Sequence, residues 1–249
     1  LPLKTAVPKA RQWNIDGVEL DAWGELFPRN LGETARRQVR HLVTSHELEV
    51  AALACPLRHG LDVAEGQETR LEYLRECMTL SCDLGSRLIV IYAGQVSEKE
   101  DDAGRGRLRE ALDALARHGD RIGCRVALET GLDAPQTLLN FLDAIDAGSL
   151  AVSYNPGNLL IHGHDPYSAL RLMQARLAYA HARDARRATA GRLAQEVPLG
   201  RGDLDWLRLA DIAREIEYRG YLAIERECTP GVAADLVRGV EFLRTLFSM

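Results

Sequence analysis

Seven short apolar runs, rich in β-branched residues, recur along the chain and alternate with longer segments of helical periodicity. The runs are DGVEL (16–20), LEVAALAC (48–55), RLIVIYAG (87–94), CRVALET (124–130), LAVSYN (150–155), LAYAHA (177–182) and YLAIERE (221–227). Between them, apolar residues recur every three to four positions. Leu71, Leu74, Met78 and Cys82 form one stripe, Leu108, Leu112 and Leu115 a second, Leu139, Leu142 and Ile145 a third, and Leu236, Val240, Leu243 and Phe247 a fourth. Glycines stand between helix and strand in DLGSRLIV, RIGCRVAL and YRGYLAI, where helix C-caps belong. Strand, helix, strand, helix without a hairpin signal specifies a parallel sheet of the α/β class, since parallel neighbours need a crossover.

A closed (β/α)8 barrel takes about 250 residues as one domain, and the chain has 249. The pattern supplies seven strands, because the opening LPLKTAVPKARQW reads as a helix leading into the 16–20 strand. The expectation is therefore an eight-stranded TIM barrel whose first strand is missing from the chain, forming a single domain over residues 1–249. Two unpaired sheet edges then favour association, so the expectation is either a homo-oligomer whose neighbouring chain fills the gap or low solubility.

Formal net charge is −5, which argues against a nucleic-acid partner, because phosphate binding needs a basic surface. No apolar run approaches the ~18 residues of a membrane span, and the first residues lack a signal-peptide core. The five cysteines (Cys55, Cys77, Cys82, Cys124 and Cys228) are odd in number and contain no CxxC pair. They read as small buried hydrophobes in a reducing compartment, and the expected location is the cytoplasm.

In a parallel barrel the reacting groups gather at the C-terminal ends of the strands. The last inward residues of the final four strands are Glu129, Asn155, His181 and Glu225. Period-two alternation places Ala127, Ser153, Tyr179 and Ala223 beneath them and turns Leu128, Val152, Ala180 and Ile224 toward the helices. The spacing from 129 to 155 and from 155 to 181 is 26 residues each, one βα unit; the last gap of 44 holds the extra stretch RRATAGRLAQEVPLGRGDLDW. Two carboxylates, an amide and an imidazole on one rim form a donor set suited to Mn²⁺, Mg²⁺, Co²⁺ or Zn²⁺.

The stretches DGVELD, VALETG, NPGNLLIHGHDP, AHARDA, VPLGRGDLDW and YRGYLAIE, in this order, resemble the sugar phosphate isomerase/epimerase family with the xylose isomerase-like TIM barrel. That family also includes inosose dehydratases, hydroxypyruvate isomerases and ketose 3-epimerases. The resemblance implies a divalent ion held by a Glu, an Asp, a His and a second Glu, which fall on Glu129, position 155, His181 and Glu225. It further implies that Glu129 and Glu225 form the acid/base pair beside a keto group, that Arg187 binds substrate, and that Asp184 supports the loop. The expected function is a metal-dependent sugar isomerase or epimerase. The alternatives are a lyase of the inosose dehydratase type and a sugar-binding member without turnover. An abasic-site endonuclease on the same fold is disfavoured, because the basic groove and richer ligand cluster are missing.

The chain departs from the family at position 155, where Asn155 precedes PGN in place of aspartate. An amide oxygen can ligate but brings no charge, so the donor set carries two carboxylates instead of three and weaker metal affinity is expected. Among other candidates, Asp165-Pro166 after His162 and His164 reads as an N-cap and first helical residue, with His164 at the pocket mouth. His59 and Arg58, in CPLRHG after the second of these runs, stand on the same rim, and His59 is a candidate substrate contact. Trp206 reads as packing.

Overall fold

The computed structural model describes residues 2–226 and 231–247; Cys228 and the last residue of the 221–227 run lie outside the described residues. The chain divides into two compact units, Leu1–Glu129 with Asn140–Ala151, and Thr130–Leu139 with Val152–Met249.

The first unit begins with α1 (Leu3–Arg11), β1 (Gly17–Asp21), α2 (Glu33–Ser45) and β2 (Glu49–Ala54). It continues with α3 (Gln67–Leu84), β3 (Leu88–Ile91), α4 (Ala103–Ile122) and β4 (Arg125–Glu129). Strands β1 with β2, β2 with β3, and β3 with β4 pair in parallel. All four residues of β3 are buried, as expected for a strand covered on both faces. Helix α4 starts where the Asp102 side chain accepts the Arg105 N–H at 2.9 Å. It buries Leu108, Leu112 and Leu115, the stripe read from sequence. Gly85 and Gly123 close α3 and α4 in the left-handed conformation, at φ 93° and 69°.

After α5 (Pro135–Asp143) come β5 (Leu150–Tyr154), α6 (Pro156–Ile161), α7 (Pro166–Leu172) and β6 (Leu177–Ala182). Then follow β7 (Asp184–Arg186), β8 (Gln195–Val197), α8 (Trp206–Glu215), β9 (Leu222–Ile224) and α9 (Val232–Phe247). Strand β6 pairs in parallel with both β5 and β9. The seven long-range strands form one sheet whose order follows the chain, β1-β2-β3-β4-β5-β6-β9. In the second unit Tyr154, Ala180 and Ala182 turn one face of the strands into a core with Leu209 and Ile212 of α8 and Leu243 of α9, and Leu222 and Ile224 pack against it. The opposite parity is left for polar groups.

Three details differ from the sequence reading. The insertion after β6 contains an antiparallel hairpin, β7 with β8. Its strands are three residues each, too short to carry a period-two signature. Gly220 does not cap α8; that helix ends earlier and Glu217 takes the left-handed position at φ 52°. The inner face of α9 runs through Gly239, Val240, Leu243 and Leu246, to one side of the stripe read from sequence, and Phe247 is exposed. No helix among the described residues is long and apolar enough to cross a membrane.

The four described cysteines are free thiols, and Cys55, Cys77 and Cys124 are buried. Burial, with the neighbouring Cys82 thiol adding to it, pushes Cys124 up to about 12. Alkylation mapped by peptide mass spectrometry at pH 8 should therefore leave Cys55 and Cys124 unmodified in the native protein and label both in urea. In α4, Leu112→Ala removes a fully buried side chain and should lower stability by about 2–5 kcal/mol in urea titration, from lost burial plus the cavity left behind.

Candidate metal centre

The second unit assembles most of the candidate site from strand ends. Register places Ser153 beside Tyr179 and His181 beside Ala223. The buried His181 ring lies with Nδ1 3.4 Å from Ser153 Oγ. Tyr179 packs edge-on against that ring, with centroids 5.3 Å apart. A hydroxyl on one side and an aromatic edge below leave the imidazole little rotational freedom.

Glu225 follows β9 and is gripped at both oxygens. Asn155 Nδ2 donates to Oε2 at 2.9 Å, and Arg183 Nη1 lies 3.5 Å from Oε1. The Arg183 side chain is 14% exposed and that of Glu225 36%, so water still reaches the carboxylate end of this pair. Its stem is seated by Gly157. A Cβ there would lie 2.7 Å from the Arg183 carbonyl oxygen and 3.0 Å from its Cγ.

Glu129, at the end of β4, completes a donor group with His181 and Glu225. One ligand atom from each lies within 4.8 Å of the other two. Metal–ligand bonds of about 2.0–2.3 Å set a span of roughly 4–4.6 Å between ligands on opposite sides of one ion. An imidazole and two carboxylates at this separation could hold a divalent metal ion.

The parity argument thus brings Glu129, His181 and Glu225 together and sets Asn155 against Glu225. Arg187 is exposed, and its backbone N–H donates to Asp203 Oδ2 at 2.8 Å. His59 is exposed in the loop after β2. His164 is half-buried with Nε2 3.3 Å from the Leu132 carbonyl oxygen, and neither histidine belongs to the donor group. Asp165 is the N-cap of α7, accepting the Tyr167 and Ser168 N–H groups at 3.2 Å, with Pro166 opening the helix. Burial pushes the Asp165 carboxyl up, but bonds from Ser168 and Tyr167, with Arg208 nearby, outweigh it and hold the group below its ordinary value. The residue missed from sequence is Arg183. Continuing the alternation Tyr179, His181 by one more step would have found it.

Asp184 is buried and acts as a staple. Its carboxylate accepts the backbone N–H groups of Ala185 and Gly200 at 2.8 Å, that of Gly202 at 3.0 Å, and Trp206 Nε1 at 3.0 Å. Gly202 allows the approach, since a Cβ there would lie 1.9 Å from Asp184 Oδ1. Trp206 packs edge-on to Phe242 while making its hydrogen bond. Asp184→Ala should lower stability by about 2–4 kcal/mol by chemical denaturation, because the buried Ala185 and Trp206 N–H groups and the partly buried Gly200 and Gly202 N–H groups lose their acceptor together.

The chain belongs to the family of xylose isomerase-like TIM barrels, whose sequence profile matches residues 7–246. Among solved structures, it is similar to a xylose isomerase domain protein from Planctomyces limnophilus. That match has 23% identity and a TM-score of 0.88 over 97% of this chain and 91% of that one. It is similar to a xylose isomerase-like TIM barrel protein from Mycobacterium smegmatis in complex with magnesium, at 16% identity and TM-score 0.81 over 100% and 90%. A 3-keto-D-glucoside 4-epimerase from E. coli matches at 18% identity and TM-score 0.78 over 98% and 94%. A search among curated proteins found no match.

Proposed function

We propose that the protein is a divalent-metal-dependent sugar isomerase or epimerase that moves a proton at the carbon beside a keto group. The observation that carries this reading is the Glu129–His181–Glu225 donor group, in a chain whose family is the xylose isomerase-like TIM barrel. Similar folds that carry magnesium or act on keto-sugars support it. The whole chain, 1–249, then works as one domain in the cytoplasm, with Mn²⁺, Mg²⁺, Co²⁺ or Zn²⁺ as the ion and a sugar or keto-sugar as the small-molecule partner.

A bound divalent ion would supply Lewis-acid stabilisation of negative charge developing on the substrate oxygen. The chain's own residues do the rest. Glu129 and Glu225 form the acid/base pair, one removing the proton next to the carbonyl and the other returning it. His181 is held for ligation by Ser153 and Tyr179. Arg183 and Asn155 keep the Glu225 carboxylate aimed inward. Arg187, His59 and His164 contact the substrate's outer hydroxyls or charged groups.

A second reading, a sugar-binding member without turnover, is favoured by Asn155, whose amide engages Glu225 where the resemblance leads one to expect a third carboxylate. One experiment separates the two. The protein is incubated with Mn²⁺ and a panel of keto-sugars in D₂O, and products are read by NMR. The proposed function predicts isomer or epimer with deuterium at the carbon beside the carbonyl. It also predicts a loss of about 10²–10⁴-fold in kcat for Glu129→Gln and Glu225→Gln. Dehydrated product would move the assignment to a lyase. Sugar binding with no exchange and no product would establish the binding protein instead.

A further inference from the structure

Asn155 is fully buried, and its polar groups meet partners of matching polarity. Its backbone N–H donates to Thr130 Oγ1 at 2.8 Å, fixing the end of the strand. Oδ1 accepts the Asn158 N–H at 3.0 Å as the N-cap of α6. Nδ2 donates to Glu225 Oε2 at 2.9 Å. Chemistry dictates the orientation of the amide, since a backbone N–H can only donate and an ionised carboxylate can only accept. An aspartate would supply the cap equally well. It has no N–H for Glu225, however, and would set two carboxylates at hydrogen-bond distance.

We infer that Asn155 is a positioning residue: its amide caps α6 with one end and holds Glu225 with the other, leaving Glu129, His181 and Glu225 as the protein ligands of the ion. This rests on the reading of Glu225 as part of a metal centre. The chemistry of the position explains the departure from aspartate. Asparagine supplies a hydrogen-bond donor that keeps Glu225 in the site when no ion is bound, and Arg183 holds the other oxygen of the same carboxylate. Oε2 keeps a further lone pair for a cation while it accepts from Asn155.

The test uses Asn155→Ser, which keeps an acceptor for the α6 cap but is too short to reach Glu225. Three readouts apply to the full chain. Calorimetric titration with Mn²⁺ should show about tenfold weaker binding, the effect of losing a group that orients a ligand. The visible absorption bands of the Co²⁺-loaded protein should keep their positions and intensities, because the ligands are unchanged. The melting temperature of metal-free protein should fall for Asn155→Ser when Glu225 is present. It should not fall further when Asn155→Ser is added to Glu225→Ala, since the two residues act as one unit. Should Asn155→Ser fail to fold, Asn155→Thr also keeps a cap oxygen, is likewise too short to reach Glu225 and carries the same melting comparison. A changed Co²⁺ spectrum would make Asn155 a ligand and overturn the inference, as would additive melting losses. Wild-type protein that binds no Mn²⁺ would overturn the metal reading itself, while the melting comparison would still decide whether Asn155 holds Glu225.

Discussion

The carboxylate of Glu225 is the point on which the proposed site depends, because it must be held firmly in place to serve there. An unpaired carboxylate drawn away from water carries a large desolvation penalty unless donors meet it. Here a neutral amide and a guanidinium meet its two oxygens from different elements, Asn155 at the head of α6 and Arg183 just past β6. Each donor is itself fixed: Asn155 by Thr130 and Asn158, Arg183 by the bare backbone of Gly157. The side chains around Glu225 are therefore held by ordinary hydrogen bonds and close packing, as the proposed chemistry requires.

A different carboxylate, that of Asp184, is fully buried. Asp184 gathers three backbone N–H groups and the Trp206 indole onto two oxygens. It converts the 26-residue βα rhythm, interrupted by a longer insertion, into a fixed loop joining β7 to the start of α8. Nearby, Arg226 pairs with Glu196 of β8 and lies 3.0 Å from Asp235 of α9, all three side chains nearly buried. The insertion is thus tied at its two ends by Asp184 and in its middle by the Glu196–Arg226 pair. Breaking such a pair by removing one partner would strand a buried charge and destabilise the fold.

The parts of the fold legible in the sequence are those with long or repeated patterns. The apolar stripe of α4 and the glycines closing α3 and α4 emerged where expected, because helix periodicity and left-handed caps leave strong local marks. Glu129, His181 and Glu225 were legible for a related reason: a polar side chain closing an apolar strand is conspicuous, and alternation assigns its face. Arg183 was missed because the alternation was stopped at the last residue of the run. The β7–β8 hairpin was missed because three-residue strands carry no period. The partners of Asn155 were beyond reach, since its bond to Glu225 spans 70 positions and only the fold brings the two together.

The most direct test of the whole account is an anomalous-difference map from a crystal of this chain soaked in Mn²⁺. The account predicts one strong peak within about 2.0–2.4 Å of an atom each from Glu129, His181 and Glu225, with the Asn155 amide still on Glu225. A peak elsewhere, or one that takes Asn155 Oδ1 as a ligand and releases Glu225, would contradict it.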